Sequence, residues 1–280
     1  MKLMVAWLGC LVFLGWSTLA WSASPERPSA SMVVTGVLDI NPDGSVRGYT
    51  VDQPAKLPSV VLDVLKQTVP GWRFQVDIAR PAIARARMSV RVVATPVGKT
   101  GFSIRVEGVD FNDDGTPAAE TINPRDTPNP AYPQEAIKAR TAVTVYVLLR
   151  VGRDGKVAEA GAEQVNFTLA CPPDEREGLT KVFVRATLMT LRRWTFDVPT
   201  KGPYVHAAYW DVRVPVIFSL LEAGGRVEPT KYGSWEAYLP GPRRPLAWVT
   251  DQTMLASAPD ATPEGGPTML NGKPRLAVPH

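Results

Sequence analysis

Pro70-Gly71-Trp72-Arg73-Phe74 and Arg192-Arg193-Trp194-Thr195-Phe196 give the chain the same Trp-x-Phe signal twice. Each triplet closes a helix-like run. Each also follows a hairpin turn, Asn41-Pro42-Asp43-Gly44 in the first half and Gly152-Arg153-Asp154-Gly155 in the second. Asp-Gly supplies the positive φ that a tight connection between strands needs. Gly44 and Trp72 stand 28 residues apart and Gly155 and Trp194 39 apart, so the match is one of pattern and order. A repeat fixes the unit that must bury a core. Here it points to two small α+β units of one kind, each an antiparallel sheet with one helix, rather than to one large enzyme domain.

The segments around the first triplet fit that unit. Residues 32–40 and 45–51 are β-like and flank the turn. Leu57-Pro58 opens a helix, with Val60, Val61, Val64, Leu65 and Thr68 on one face. Pro70-Gly71 ends it. Met88, Val90, Val92 and Ala94 then alternate with Ser89, Arg91 and Val93, and residues 101–111 add a last strand, giving the order β-β-α-β-β-β. In the second half Val143, Val145, Val147, Leu149 and Val151 alternate with Thr144, Tyr146, Leu148 and Arg150. Asp174 and Glu175 favour a helix start, and Leu179, Val182, Phe183, Ala186 and Thr190 share a face. The four aromatics Trp72, Phe74, Trp194 and Phe196 read as core residues that close each helix onto its sheet.

Composition narrows the function. The 280 residues are 45% hydrophobic and 21% charged with a net charge of +4, ordinary values for a folded protein. Arg192-Arg193 and Arg243-Arg244 are only pairs, so nucleic-acid binding has no support. The two histidines, His206 and His280, make no triad or multi-His metal site, and no phosphate loop or nucleophile elbow is present. The chain reads as non-catalytic, with no cofactor and no metal. Two Asp-rich stretches, starting at Asp39 and Asp110, open like calcium loops. Their twelfth positions hold Thr50 and Thr121 where a bidentate Glu is needed, so both read as metal-free turns.

Residues 1–22 begin with Lys2, continue through an uncharged apolar run from Leu3 to Leu19, and end in Ala20-Trp21-Ser22. This reads as a cleaved secretory signal and implies export to the periplasm. The alternative is an uncleaved helix anchored in the inner membrane, since the apolar run is close to spanning length. Removal of the leader leaves Cys171 as the sole cysteine, so no internal disulfide forms. At the other end, residues 222–280 carry nine Pro and seven Gly. This tail is expected to wrap the second unit in extended form and to be disordered from Ser257 onward.

The second half also resembles a family. Asn129-Pro130-Ala131-Tyr132-Pro133-Gln134-Glu135-Ala136 is similar to the Tyr-Pro box that opens the TonB C-terminal domain. The long strand, the Asp154-Gly155 turn, Trp194-Thr195-Phe196 and the closing Val214-Pro215-Val216-Ile217-Phe218 follow in that family's order. The resemblance covers residues 128–221, and a fainter copy without the box covers 32–111, with a linker at 112–127. It implies edge-strand pairing with an extended segment of an envelope protein, such as a TonB-dependent outer-membrane receptor. The positions that match are Tyr132, Pro133 and the strand at 209–220, with Val212, Val214 and Val216. Pro215 fits an edge strand, because proline cannot donate to a ladder. About ten residues, at most about 35 Å of chain, separate the leader from the first unit. A family transducer needs a longer spacer, so the alternative is a structural or assembly factor of the envelope that transduces no energy.

Overall fold

The computed structural model describes residues 28–75, 83–111, 115–169, 171–220, 231–250, 258–262 and 266–277. The chain is mixed α+β, mostly antiparallel sheet with few helices. Strand β1 (Ser29–Ile40) turns into β2 (Val46–Val51), followed by helix α1 (Ser59–Thr68), β3 (Phe74–Gln75), β4 (Ala84–Val97) and β5 (Gly101–Phe111). This is the element order expected for the first half. Strand β6 (Asn123–Asp126) and helix α2 (Gln134–Lys138) lead into the hairpin β7 (Val143–Gly152) and β8 (Val157–Phe167). Helix α3 (Pro173–Leu191), β9 (Thr195–Asp197) and β10 (Tyr209–Phe218) complete that part. Short strands β11 (Glu236–Pro240), β12 (Thr268–Met269) and β13 (Arg275–Leu276) come from the C-terminal region.

Both hairpins close by the same hydrogen bonds. Gly44 N–H donates to Asn41 O at 2.9 Å, and Gly155 N–H to Gly152 O at 2.9 Å. Asp43 Oδ1 accepts the Ser45 N–H at 2.9 Å, and Asp154 Oδ1 accepts the Lys156 N–H at 3.0 Å. The two glycines have φ of 81° and 76°. Each then receives the strand that follows its tryptophan, Phe74 N–H donating to Gly44 O and Phe196 N–H to Gly155 O, both at 2.8 Å. A Cβ on Gly44 would lie 2.0 Å from the Phe74 carbonyl oxygen, and one on Gly155 2.2 Å from that of Phe196. Both turns therefore need glycine twice over, for backbone conformation and for close approach.

Among the described residues, nine strands form one sheet in the order β12-β10-β7-β8-β11-β1-β4-β5, with β2 also pairing with β1, while β13-β3 and β6-β9 are separate two-stranded pairs. Two hydrophobic cores lie on the helix-covered face. In the first, Val61 and Leu65 of α1 meet Val34, Leu38, Val90 and Val92. In the second, Leu179, Phe183 and Leu191 of α3 meet the odd residues of β7 and the even residues of β10. Full burial of each such side chain contributes about 1.5–3 kcal/mol. The sheet also folds over its opposite face. Strands β10 and β5 lie near opposite ends of the order, yet Arg213 of β10 reaches Asp110 of β5 at 3.3 Å.

The C-terminal region departs from the sequence reading. Strand β11 pairs with β1 through residues 236–238 and with β8 through Leu239 and Pro240, and so joins the two parts of the sheet. Strand β12 pairs with β10, and β13 pairs with β3 in the first half. Where disorder was expected, Ala258, Pro259, Asp260, Ala261 and Thr262 are buried. These segments lie as single extended stretches against strands that already exist, so they need no periodicity of their own. The segment expected to be a linker is likewise integrated, since β6 pairs with β9 and Ile122 is buried in the second core. The apolar leader lies outside the described residues. Among those described, no helix is long and apolar enough to cross a membrane.

An ion pair in the first half gives a pH-sensitive marker. Asp52 accepts hydrogen bonds from Arg87 Nη2 and Thr35 Oγ1, each at 2.7 Å. The Arg87 bond first, then that of Thr35, holds the Asp52 carboxyl below its ordinary value. A depressed carboxylate stabilises the fold above the unfolded-state pKa, and that contribution is lost as pH falls through the folded value. Arg87→Ala is expected to shift the Asp52 titration upward in a carboxyl NMR experiment.

Candidate functional site: the β10 edge

Strand β10 pairs with β7 along its whole length, from Tyr209–Gly152 to Phe218–Val143. Among the described residues its other edge is covered at one end, where Val212 and Arg213 face Met269 and Thr268 of β12. In an antiparallel ladder, successive residues direct their N–H and C=O to alternate neighbours. Asp211 fixes the parity, because its carbonyl accepts the Leu270 N–H at 2.8 Å and its N–H donates to Asn271 Oδ1 at 2.9 Å. Odd residues of β10 therefore face outward and even residues face β7. Pro215 has its missing N–H on the outer side, where the β7 ladder loses nothing. Beyond β12, the outward groups are the Pro215 carbonyl and the N–H and C=O of Ile217. Among the described residues no strand pairs with them.

This parity changes the roles expected for the valines. Val212, Val214 and Val216 direct their side chains into the second core, with exposures of 0%, 2% and 8%. Their backbone groups bond β7. They hold the edge in place but do not present it. The residue that presents it is Ile217, which is 45% exposed. Sequence reasoning overlooked Ile217 although Pro215 carries the clue, since an edge proline and the residue two positions on share a direction.

The open stretch borders a groove of about 470 Å³ lined by Asn129, Pro130, Tyr132, Trp194 and residues 215–219. The Tyr-Pro box thus lies beside the edge strand. Tyr132 is half-buried and packs edge-on against Phe183 and Phe218, with centroids 5.7 and 5.5 Å away. Its hydroxyl donates to the Thr141 carbonyl, and burial raises its pKa. Pro133 is buried just before α2 and fixes the entry of the chain. Trp194 Nε1–H donates to the Pro128 carbonyl at 2.9 Å, tying the approach to the box onto the core. Trp72, Phe74 and Phe196 are buried as expected, and Trp72 and Phe74 meet edge-on at 6.0 Å.

Burial and pairing account for the other residues singled out in the sequence. Cys171 is buried, and burial, followed by Glu175, pushes its thiol pKa up, the opposite of what a nucleophile requires. Asp39 pairs with Arg85 at 3.1 Å. Asp110 lies in β5 and is buried, while residues 112–114 of its stretch lie outside the described residues. Among the described residues no cluster of metal-binding side chains occurs.

The sequence reading also missed a buried polar seam on the inward face. Arg213 is 1% exposed and grips Glu163 at 2.7 and 3.0 Å while reaching Asp110 at 3.3 Å. Burial alone would lower its pKa, but the Glu163 and Asp110 carboxylates outweigh burial and raise it. Thr262 Oγ1–H donates to the same Asp110 oxygen. Close by, Arg91 Nε–H donates to the Asp260 carbonyl at 2.6 Å, and Tyr238 O–H donates to the Asp260 carboxylate at 2.5 Å. The seam therefore ties β4, β5, β8, β10, β11 and residues 258–262 together directly behind the edge strand.

No protein-family model matches the chain, and no curated protein or solved structure matches it.

Proposed function

We propose that this chain is a non-catalytic periplasmic protein that captures an extended segment of an envelope partner, such as an outer-membrane receptor. The partner strand adds to the open half of β10. The observation that carries this reading is the pair of outward-facing residues Pro215 and Ile217 beside the Tyr132 groove. Free N–H and C=O groups on a sheet edge are a template for another strand. The matching joints at Gly44 and Gly155 support two copies of one TonB-C-like unit. Strand β5 pairs with β4 on the side that corresponds to the β10 edge, through registered pairs from Met88–Phe111 to Val97–Gly101. In the first unit that position is filled by the chain itself, whereas in the second most of it is left for a partner.

Ile217→Pro removes one outward N–H without touching the β7 ladder. It is expected to abolish co-purification of the partner from producing cells while the melting temperature stays within a few degrees of the parent. Ile217→Val should capture normally. Val214→Pro is the contrasting variant, because its N–H faces β7 and its loss should unfold the strand. Undiminished capture by Ile217→Pro would sink edge pairing.

The structural or assembly reading draws on a different observation, the joining of both parts of the sheet by β11 and the return of β13 to pair with β3 of the first half. Under that reading Ile217→Pro complements a deletion strain as well as the parent does.

A further inference from the structure

Residues 268–271 bind β10 as a short ligand would. Leu270 N–H donates to the Asp211 carbonyl at 2.8 Å. Asn271 then substitutes its side chain for a strand backbone, with Oδ1 accepting from Asp211 N–H at 2.9 Å and Nδ2 donating to the Tyr209 carbonyl at 3.4 Å. Met269 is buried in the core under α3, and Leu270 is buried on the opposite face against Leu148 and Val249. The contact is brief, since Gly266 with φ 116° has already left the extended conformation and Gly272 with φ 72° leaves it again.

We infer that this segment is an internal ligand that occupies one end of the capture edge and must leave when a full-length partner strand docks. The inference rests on the edge-pairing reading above and adds the chemistry of the displacing segment. That segment runs antiparallel to β10, places a long apolar side chain toward α3 and an aliphatic one toward Leu148, and follows them with a carboxamide. Antiparallel direction and register are those that β12 itself adopts, Met269 facing Val212. A resident segment of two ladder pairs leaves the Pro215–Ile217 stretch of the edge open for a partner strand to start from, and its tether gives it a high effective concentration against outside competitors.

The probe is a fluorescein-labelled peptide of residues 266–273, which does not reach Ile217 and so reports independently of partner capture. Its binding is read by anisotropy on the full chain carrying Cys10→Ser, Cys171→Ser, Val212→Cys and Met269→Cys. Facing residues of a non-hydrogen-bonded pair suit a disulfide, so oxidation locks β12 in place. Saturable binding is expected to the reduced form and none to the oxidised form of the same protein. With the native cysteines and no lock, Asn271→Ala removes two hydrogen bonds of the resident segment and should bind the probe about tenfold tighter than the parent. Hydrogen exchange on the unaltered chain gives a second readout, with the Leu270 amide expected to exchange at least about a hundredfold faster than that of Val216. Equal probe binding in both redox states, an unchanged affinity in Asn271→Ala, or a single exchange rate for both amides would overturn the inference. Failure of Ile217-dependent capture with probe exchange intact would instead overturn the proposed function alone.

Discussion

Arg213→Met is expected to destabilise the protein by about 3–5 kcal/mol, because it leaves Glu163 and Asp110 as buried charges without their cation. Removal of one partner from a buried ion cluster is far more damaging than removal of the whole cluster, since desolvation of the survivors is no longer offset. The side chain is 1% exposed, so water cannot take over its role. For a chain of this size the loss corresponds to a fall of roughly 10 °C in melting temperature by calorimetry. Adding Glu163→Gln and Asp110→Asn to Arg213→Met should recover a large part of that loss. If Arg213→Met melts with the parent, the seam behind β10 does not hold the sheet together.

Gly44→Ala and Gly155→Ala are expected to cost nearly equal amounts, about 3 kcal/mol or more each. Left-handed backbone alone costs an alanine about 1–2 kcal/mol. The remainder comes from a Cβ placed 2.0 or 2.2 Å from a backbone oxygen, which moves only if the Phe74 or Phe196 strand moves. Gly98→Ala isolates the first contribution, because Gly98 has φ 58° with nothing within 4 Å of its Cβ position. It should cost only about 1 kcal/mol. Denaturant titration of the three variants measures all of this at once. A Gly155→Ala protein as stable as Gly98→Ala would mean that the two Trp-x-Phe joints are not built alike.

The parts of this architecture that are local were legible from the residues. Asp-Gly turns, the proline before α1, the acidic first turn of α3 and the Trp-x-Phe triplets each act within a few positions, and each lies where the sequence puts it. What failed was everything decided by the second face of the sheet. Ser89, Arg91 and Arg213 occupy alternate strand positions that normally face water, yet they are buried because the sheet folds over them. The C-terminal region failed for a related reason. Pro259, Met269 and Leu270 are buried one short contact at a time, against partners such as Val212 and Leu148 that lie far back along the chain, and such contacts leave no period to read. The assignment of Val212, Val214 and Val216 to a partner was an error of parity, since the residues that look most like a binding strand are those that build the core.

Partner capture at the β10 edge is tested most directly by site-specific photo-crosslinking in producing cells. A benzophenone side chain replaces Asn129, an exposed residue of the groove, in the otherwise unaltered chain and in one that also carries Ile217→Pro. The predicted result is a discrete adduct from the first protein, none from the second, and none from a benzophenone at exposed Val60 on α1. An adduct of equal yield with and without Ile217→Pro, or no adduct at the groove at all, would contradict it.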